Sequence, residues 1–380
     1  MDVSTLKRSD VKVVDDDLAA ILADTIADYE TRSGKTLQPA NIERLLINTY
    51  AYREALTRQA VNEAYRQQHP RFASGLMLDL CGDDVNTPRL QAAAAACTIR
   101  FSAALNARQS VCLSAGTQVS VGDVGFATTE PATLWESRAS IDLPAVCTES
   151  GTIGNGWSVG QISNLAVQPV AGVEVKAVNI TVPSGGAAVE SDDDYRTRIL
   201  LAPESFSVAG PVGAYEYFAR QVSSAICDVY VANPLNSAGE PIGGQVEVVV
   251  LTRDGLPSAE LLAQVRKALS DDRRRPLCDT VLTVSPSVVD YTLDAELVLL
   301  TGSNAADVLA AARTAWANYE AARRQKLGLD IVPLDIAASL KVAGVYNVVL
   351  KNLPLREVKP NQWSRCTAVN ISIASERADG

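Results

Sequence analysis

Hydrophobic spacing changes along this chain, and the first change constrains the fold more than any other feature. Up to about Tyr65 apolar residues recur at helical intervals, and from about Ala92 they alternate or run β-branched. A chain that switches period in this way is built from parts of different class. Its 380 residues leave room for about two to four units at ~150 residues each. With 47% hydrophobic and 21% charged residues, each part can bury a real core.

The first ninety residues read as helical. Asp15, Asp16 and Asp17 stack acid where a helix macrodipole favours it, and Leu18, Ile21, Leu22, Ile26 and Tyr29 follow at helical spacing until Ser33-Gly34. Pro39 suits the first turn of a second helix, which runs through Ile42, Leu45, Leu46, Thr49, Leu56 and Ala60 towards Gln68. Continuous over that stretch, it would span about 45 Å. Two helices cannot bury so long a stripe against each other alone, so it needs the rest of the chain or helices of another chain. After His69-Pro70, a short apolar piece from Leu76 to Leu80 leads to a turn at Gly82-Asp83-Asp84.

The segments CTIRFSA, QVSVGD and VEVKAVNITV predict strands, with a hairpin turn at Gly122-Asp123 and a glycine-rich loop at SGTIGNGWSVGQIS. Residues 92–183 are most simply an antiparallel sandwich or partial barrel. A helix capped by Ser191 or Asp192 follows, then a helix after Pro211, strands at 226–231 and 245–251, a helix at 258–269 and a strand at 280–284. The last ninety residues predict a strand at 291–300, helices at 305–323 and 334–342, and strands at 346–351 and 367–373. The fold class is α+β multidomain: long N-terminal helices, a mainly antiparallel β domain, and two C-terminal α+β units with antiparallel pairs. The expected domains are 1–90 (helical arm), 91–191 (β domain), 192–287 (α+β) and 288–380 (α+β).

Composition narrows the chemistry. The net charge is −10, and no segment is basic: the four domains carry −3, −3, −4 and zero. Such a chain repels phosphate backbones, so nucleic acid is not an expected partner. Seven cysteines (Cys81, Cys97, Cys112, Cys147, Cys227, Cys278, Cys366) are dispersed without CxxC spacing, as suits reduced thiols made in a cytoplasm. The N-terminal MDVSTLKRSDVKVVDDD has no apolar signal region, and no stretch approaches ~20 apolar residues, so membrane insertion is not expected.

Candidate sites are few. The single histidine, His69, has no neighbouring cysteine and reads as a helix-terminal residue, so neither zinc nor a serine triad is expected. Gly154-Asn155-Gly156 with Gly160 misses the dinucleotide spacing and leads into more β pattern, which favours a backbone-turn role. Asp192-Asp193-Asp194 points three carboxylates in different directions and reads as helix-start charge. Arg273-Arg274-Arg275 is the one basic cluster and reads as solvated loop. Asn179-Ile180-Thr181 and Asn370-Ile371-Ser372 match a glycosylation pattern without a secretory context. No catalytic residue, metal or cofactor is assigned.

In order along the chain, LQPANIERLLINTYAYREAL, MLDLCGDDVNTPRL, LSAGTQVSVGDVGFATTE, SGGAAVESDDDYRTRILLAPESFSVAGPVGAYEYFA and VPLDIAASLKVAGVYNVVL resemble the baseplate J-like family. These are wedge components of contractile phage tails and of phage-tail-like, pyocin-like bacteriocins. The resemblance implies a structural, non-enzymatic role. Two copies would join a smaller wedge partner through their N-terminal helices. The wedges would meet sheath-initiator and hub or spike proteins, and the C-terminal domains would close a ring that rearranges when the sheath contracts. Assembly would take place in the bacterial cytoplasm, with the subunit ending in the baseplate of the released particle. The residues expected to face the bundle are Ile42, Leu45, Leu46, Thr49 and Leu56. A rival reading, a receptor- or glycan-binding tail protein, would use the β domain, where Phe101, Phe126, Trp135 and Trp157 are scattered in sequence.

Overall fold

Asp17 ends the acidic run as the cap of α1 (Leu18–Ser33), its carboxylate accepting from Ala19 N at 3.1 Å. Gly34 closes that helix at φ 65°, in the left-handed region where a β-carbon is strained. In the computed structural model, which describes residues 5–207, 210–271 and 279–379, α2 spans Ile42–Arg66. It starts later than Pro39 because Asn41 takes the cap position, and its side-chain oxygen accepts from Gln38 N at 2.6 Å. Its 25 residues give a length of about 37 Å, shorter than the 45 Å expected. Gly82-Asp83-Asp84, expected as a turn, is instead the last turn of α3 (Gly75–Asp84).

The chain forms two compact units, 1–89 with 191–200 and 90–190 with 201–380. The return segment of the first unit carries most of α4 (Asp192–Leu201). A boundary at 191/192 assigns this helix to the third domain. It packs instead with the N-terminal helices, because Tyr195 and Ile199 complete a core with Ala73, Leu78 and Cys81. The Arg273–Arg275 cluster and Cys278 lie outside the described residues.

Residues 90–190 form the nearly closed antiparallel barrel. Its strands are β1 (Ala94–Ala103), β2 (Ser110–Leu113), β3 (Gln118–Val121), β4 (Val124–Thr128), β5 (Ala132–Trp135), β6 (Ser140–Ser150), β7 (Asn164–Leu165) and β8 (Val175–Asn179). Six of them run in the order β7-β3-β4-β6-β1-β8, and β2 pairs with β5. The hairpin falls where Gly122-Asp123 places it: Val121 faces Val124, and Gly122 sits at φ 55°. Alternate residues such as Ile99, Phe101, Val119, Phe126 and Leu143 fill the interior.

The central layer holds α5 (Val212–Arg220), β9 (Ile226–Ala232), β10 (Gln245–Thr252), α6 (Ala259–Leu269) and β11 (Thr280–Val284). The last layer holds β12 (Ser287–Leu300), α7 (Ala305–Arg324), α8 (Pro333–Leu340), β13 (Val345–Leu350) and β14 (Gln362–Ala378). Each layer has the antiparallel pair expected from sequence, and beside it a parallel pair that was not expected. β10 pairs antiparallel with β9 but parallel with β11, and β12 pairs antiparallel with β13 but parallel with β14. The reason is the crossover: α6 separates β10 from β11 and returns the chain in the same direction. β14 also outruns the 367–373 expected, pairing with β12 from Gln362 to Ala378. The two layers meet at Trp363, 1% exposed, which packs with Cys227 and Leu251 and donates its indole N–H to Arg324 O at 2.9 Å.

Candidate functional site

α2 carries apolar residues on two opposite sides. On one, Ile47, Ala51 and Ala55 are buried, the last two in a small core with Ile21 and Leu22 of α1. Asn62 continues that side, accepting from Val13 N (2.8 Å) and Val14 N (3.0 Å) and donating to Val14 O (2.9 Å), so it pins the N-terminal segment as a strand neighbour would. On the other side Ile42, Leu45 and Leu46 are 75, 63 and 59% exposed. Thr49 and Leu56 are exposed on that side too, so all five residues singled out from sequence lie together on the open face. Tyr50, Tyr52 and Val61 widen it. These side chains leave a contiguous aliphatic surface on one helix open to water.

The charges of α2 mostly lie beside that face and are paired within the unit. Arg58 pairs with Glu54, Arg66 with Glu63, and Arg8 with Glu63. Side-chain hydrogen bonds from Gln67 and then Arg66 hold the Glu63 carboxyl below its ordinary range. A second open apolar patch was not legible from the stripe on α2: Leu76, Met77 and Leu80 of α3 are 72, 48 and 54% exposed. The available signal was their spacing within a run that looks too short for a helix.

Behind α3 the unit is fastened by aromatic and charged contacts. Tyr195 donates to Thr87 O at 2.7 Å, and the Arg89 guanidinium lies 4.5 Å over its ring while pairing with Asp79 (2.7 Å) and Asp192 (2.8 Å). Asp192 also accepts from Gly75 N; that bond first, and Arg89 second, hold its carboxyl below the usual range. Asp193 pairs with Arg196 and Asp194 meets Ser191, so the three acids are engaged separately.

The barrel gives the rival reading little support. Phe101 and Phe126 are fully buried in its core, so they are not available to stack on a sugar. Trp135 is 44% exposed, and Trp157 packs partly against the core. An open cleft of about 370 Å³ is lined by Cys112, Ser114, Thr117, Gln118, Val167 and Pro169 among others, with no aromatic or charged side chain. The glycine-rich loop serves the backbone. Gly156 and Gly160 take left-handed φ, and the Asn155 amide exchanges hydrogen bonds with Gly186 at 2.8 and 2.9 Å. Asn179, part of a glycosylation pattern, is fully buried: it accepts from Ile162 N and donates to Ser158 O and Thr181 O.

His69 follows α2 and meets Tyr65 edge-on at 5.1 Å. Among the described residues no group of three or more His, Cys, Asp or Glu is placed to hold a metal ion, and six cysteines are free thiols. Among them, too, no helix is long and apolar enough to cross a membrane.

Four baseplate J-like domain families match in chain order: the N-terminal domain at 43–96, the barrel domain at 98–186, the central domain at 207–285 and the C-terminal domain at 291–372. Baseplate protein J of Escherichia phage P2 is 37% identical over 193 residues, 50% of this chain and 62% of that protein. The match therefore spans less than two thirds of that relative's length. Among solved structures, a chain of the anti-feeding prophage baseplate, seen by cryo-EM, is 14% identical with a TM-score of 0.42, over 92% of this chain and 90% of that one. With all four domains matched in order, the chain belongs to the baseplate J-like family.

Proposed function

We propose that this chain is a structural subunit of the baseplate of a contractile tail or tail-like particle, and that it joins its neighbours through the open face of α2. One observation carries the reading: a helix with one apolar side packed on α1 and a second, Ile42 to Leu56, left in solvent. Membership of the baseplate J-like family supports the setting. In the finer reading, two copies and a smaller partner bundle their N-terminal helices into a wedge. The 288–380 domain contacts neighbouring wedges in a ring around the hub, and the ring rearranges as the sheath contracts. Assembly precedes release from the producing cell, and no catalytic step is asked of the subunit.

Burying Leu45 and Leu46 in a bundle would contribute roughly 1.5–3 kcal/mol each. Leu45→Asp with Leu46→Asp should therefore weaken assembly a hundredfold or more. The variant is purified by affinity tag from cells expressing the particle's other baseplate proteins. Loss of the co-purifying subunits, with the helix content of the variant unchanged, supports the reading. Wild-type recovery of the complex removes it.

A further inference from the structure

Within the open face of α2 one residue does not fit an all-apolar contact. Arg53 lies four residues after Thr49 and three before Leu56, so at 3.6 residues per turn it projects from the same side as both. It is exposed and has no ion pair or side-chain hydrogen bond among the described residues, whereas Arg58 and Arg66 of the same helix are paired. Ile42, Leu45 and Leu46 precede it on that side, and Leu56, Ala60 and Val61 follow. Thr49 and Arg53 therefore make a polar band between two apolar ones.

We propose that α2 docks against a helix of a different chain whose apolar stripe is interrupted once, by an Asp or Glu that sits against Arg53. This rests on the reading that the open face is covered in the assembled particle. A guanidinium taken out of water without a counter-charge is strongly unfavourable, so an apolar partner surface would oppose the docking that its flanking residues favour. The middle of the same face on a second copy offers no counter-charge. Residues 42, 45, 46, 49, 56 and 60 include no carboxylate, and parallel in-register pairing would bring two Arg53 side chains together. Glu43 and Glu63 stand at the margins with Val61 and Leu45, and Glu63 is already paired with Arg8 and Arg66. The face is thus built for a chain of complementary charge. A single polar position inside an apolar seam fixes register and partner choice, because every shifted alignment strands the charge. Arginine suits the task through its planar fork, which can hold a carboxylate by two parallel hydrogen bonds.

The test uses the full-length tagged chain, co-expressed with the other baseplate proteins of its own particle and analysed by native mass spectrometry. Arg53 is exposed and makes no ion pair or side-chain hydrogen bond among the described residues, so its variants should keep the circular dichroism and melting temperature of the wild type. Arg53→Glu and Arg53→Leu should each lower recovery of the heterologous partner at least about tenfold, the first by repulsion and the second by stranding the partner's carboxylate. Arg53→Lys, which keeps the charge and loses the fork, should fall between wild type and Arg53→Leu. Recovery with Arg53→Leu equal to or above wild type would overturn the proposal, since a plain apolar contact gains from that change. Leu45→Asp/Leu46→Asp separates the two levels. If that variant loses the partner while the Arg53 variants keep it, the bundle stands and the charge pairing falls. If all keep it, both fall.

Discussion

At Gly82 a hydrogen in place of a methyl decides how α3 meets α4. A β-carbon there would lie 1.8 Å from the Tyr195 hydroxyl and 2.7 Å from Thr87 O, and the second of these is backbone that cannot swing aside. Gly82→Ala should destabilise the N-terminal unit by about 1–3 kcal/mol, read as a lowered melting temperature. Tyr195→Phe, which loses the hydroxyl bond to Thr87 O, should cost about 1 kcal/mol. The thiols give a second residue-scale prediction. Burial pushes Cys97 up to about 11 and Cys227 up to about 12, from an ordinary value of 9.0. As pH rises through about 9 the unfolded thiols lose their protons first while the folded ones keep theirs. The unfolded state then binds fewer protons, and stability falls from pH 9 towards 11–12. Urea midpoints should show this alkaline loss, on the order of 3–4 kcal/mol for each thiol. Cys97→Ala with Cys227→Ala should reduce it, leaving the part due to Cys81, Tyr291, Tyr319 and Cys366, which burial also pushes up. Below pH 9 the thiols contribute no slope.

Among the elements, those whose spacing is local were legible and those fixed by distant partners were not. The Asp17 cap, the Gly34 stop and the Gly122-Asp123 hairpin all follow from residues within a few positions of each other. Gly82-Asp83-Asp84 has turn chemistry, and it is helical where Gly82 packs against Tyr195, more than a hundred residues away. Strand direction was likewise hidden, because alternation is the same in parallel and antiparallel pairs. The barrel seam shows the limit again. The segments flanking β7 are tied to β8 by side-chain amides as well as backbone bonds: Gln168 bonds both Val175 N (2.9 Å) and Val175 O (3.2 Å), and Asn179 accepts from Ile162 N while its own N–H donates to Ile162 O at 3.1 Å. Nothing in the sequence marks these amides as a supplement to the strand ladder. Asn179→Leu should leave a buried N–H unpaired and cost about 1–3 kcal/mol, with faster amide hydrogen exchange along β8. Trp363→Ala should cost about 3–5 kcal/mol and separate the melting of the central and C-terminal layers.

At the scale of the molecule, the candidate surface was readable because α2 has more apolar residues than one partner helix can cover. All five expected residues are open to solvent on one side. Arg53 escaped the same reading because periodicity counts apolar positions and passes over a charge among them. The patch on α3 escaped because its helix was missed. The molecule presents long apolar faces on its N-terminal helices and a barrel whose aromatic rings point largely inward, which suits a subunit made to be joined. Hydroxyl-radical footprinting of residues 42–61 tests that claim most directly, comparing the isolated chain with assembled particles. Leu45, Leu46, Tyr50 and Leu56 should label readily in the isolated chain and be strongly protected in the particle. Equal labelling in both states would contradict the assignment of this face to assembly.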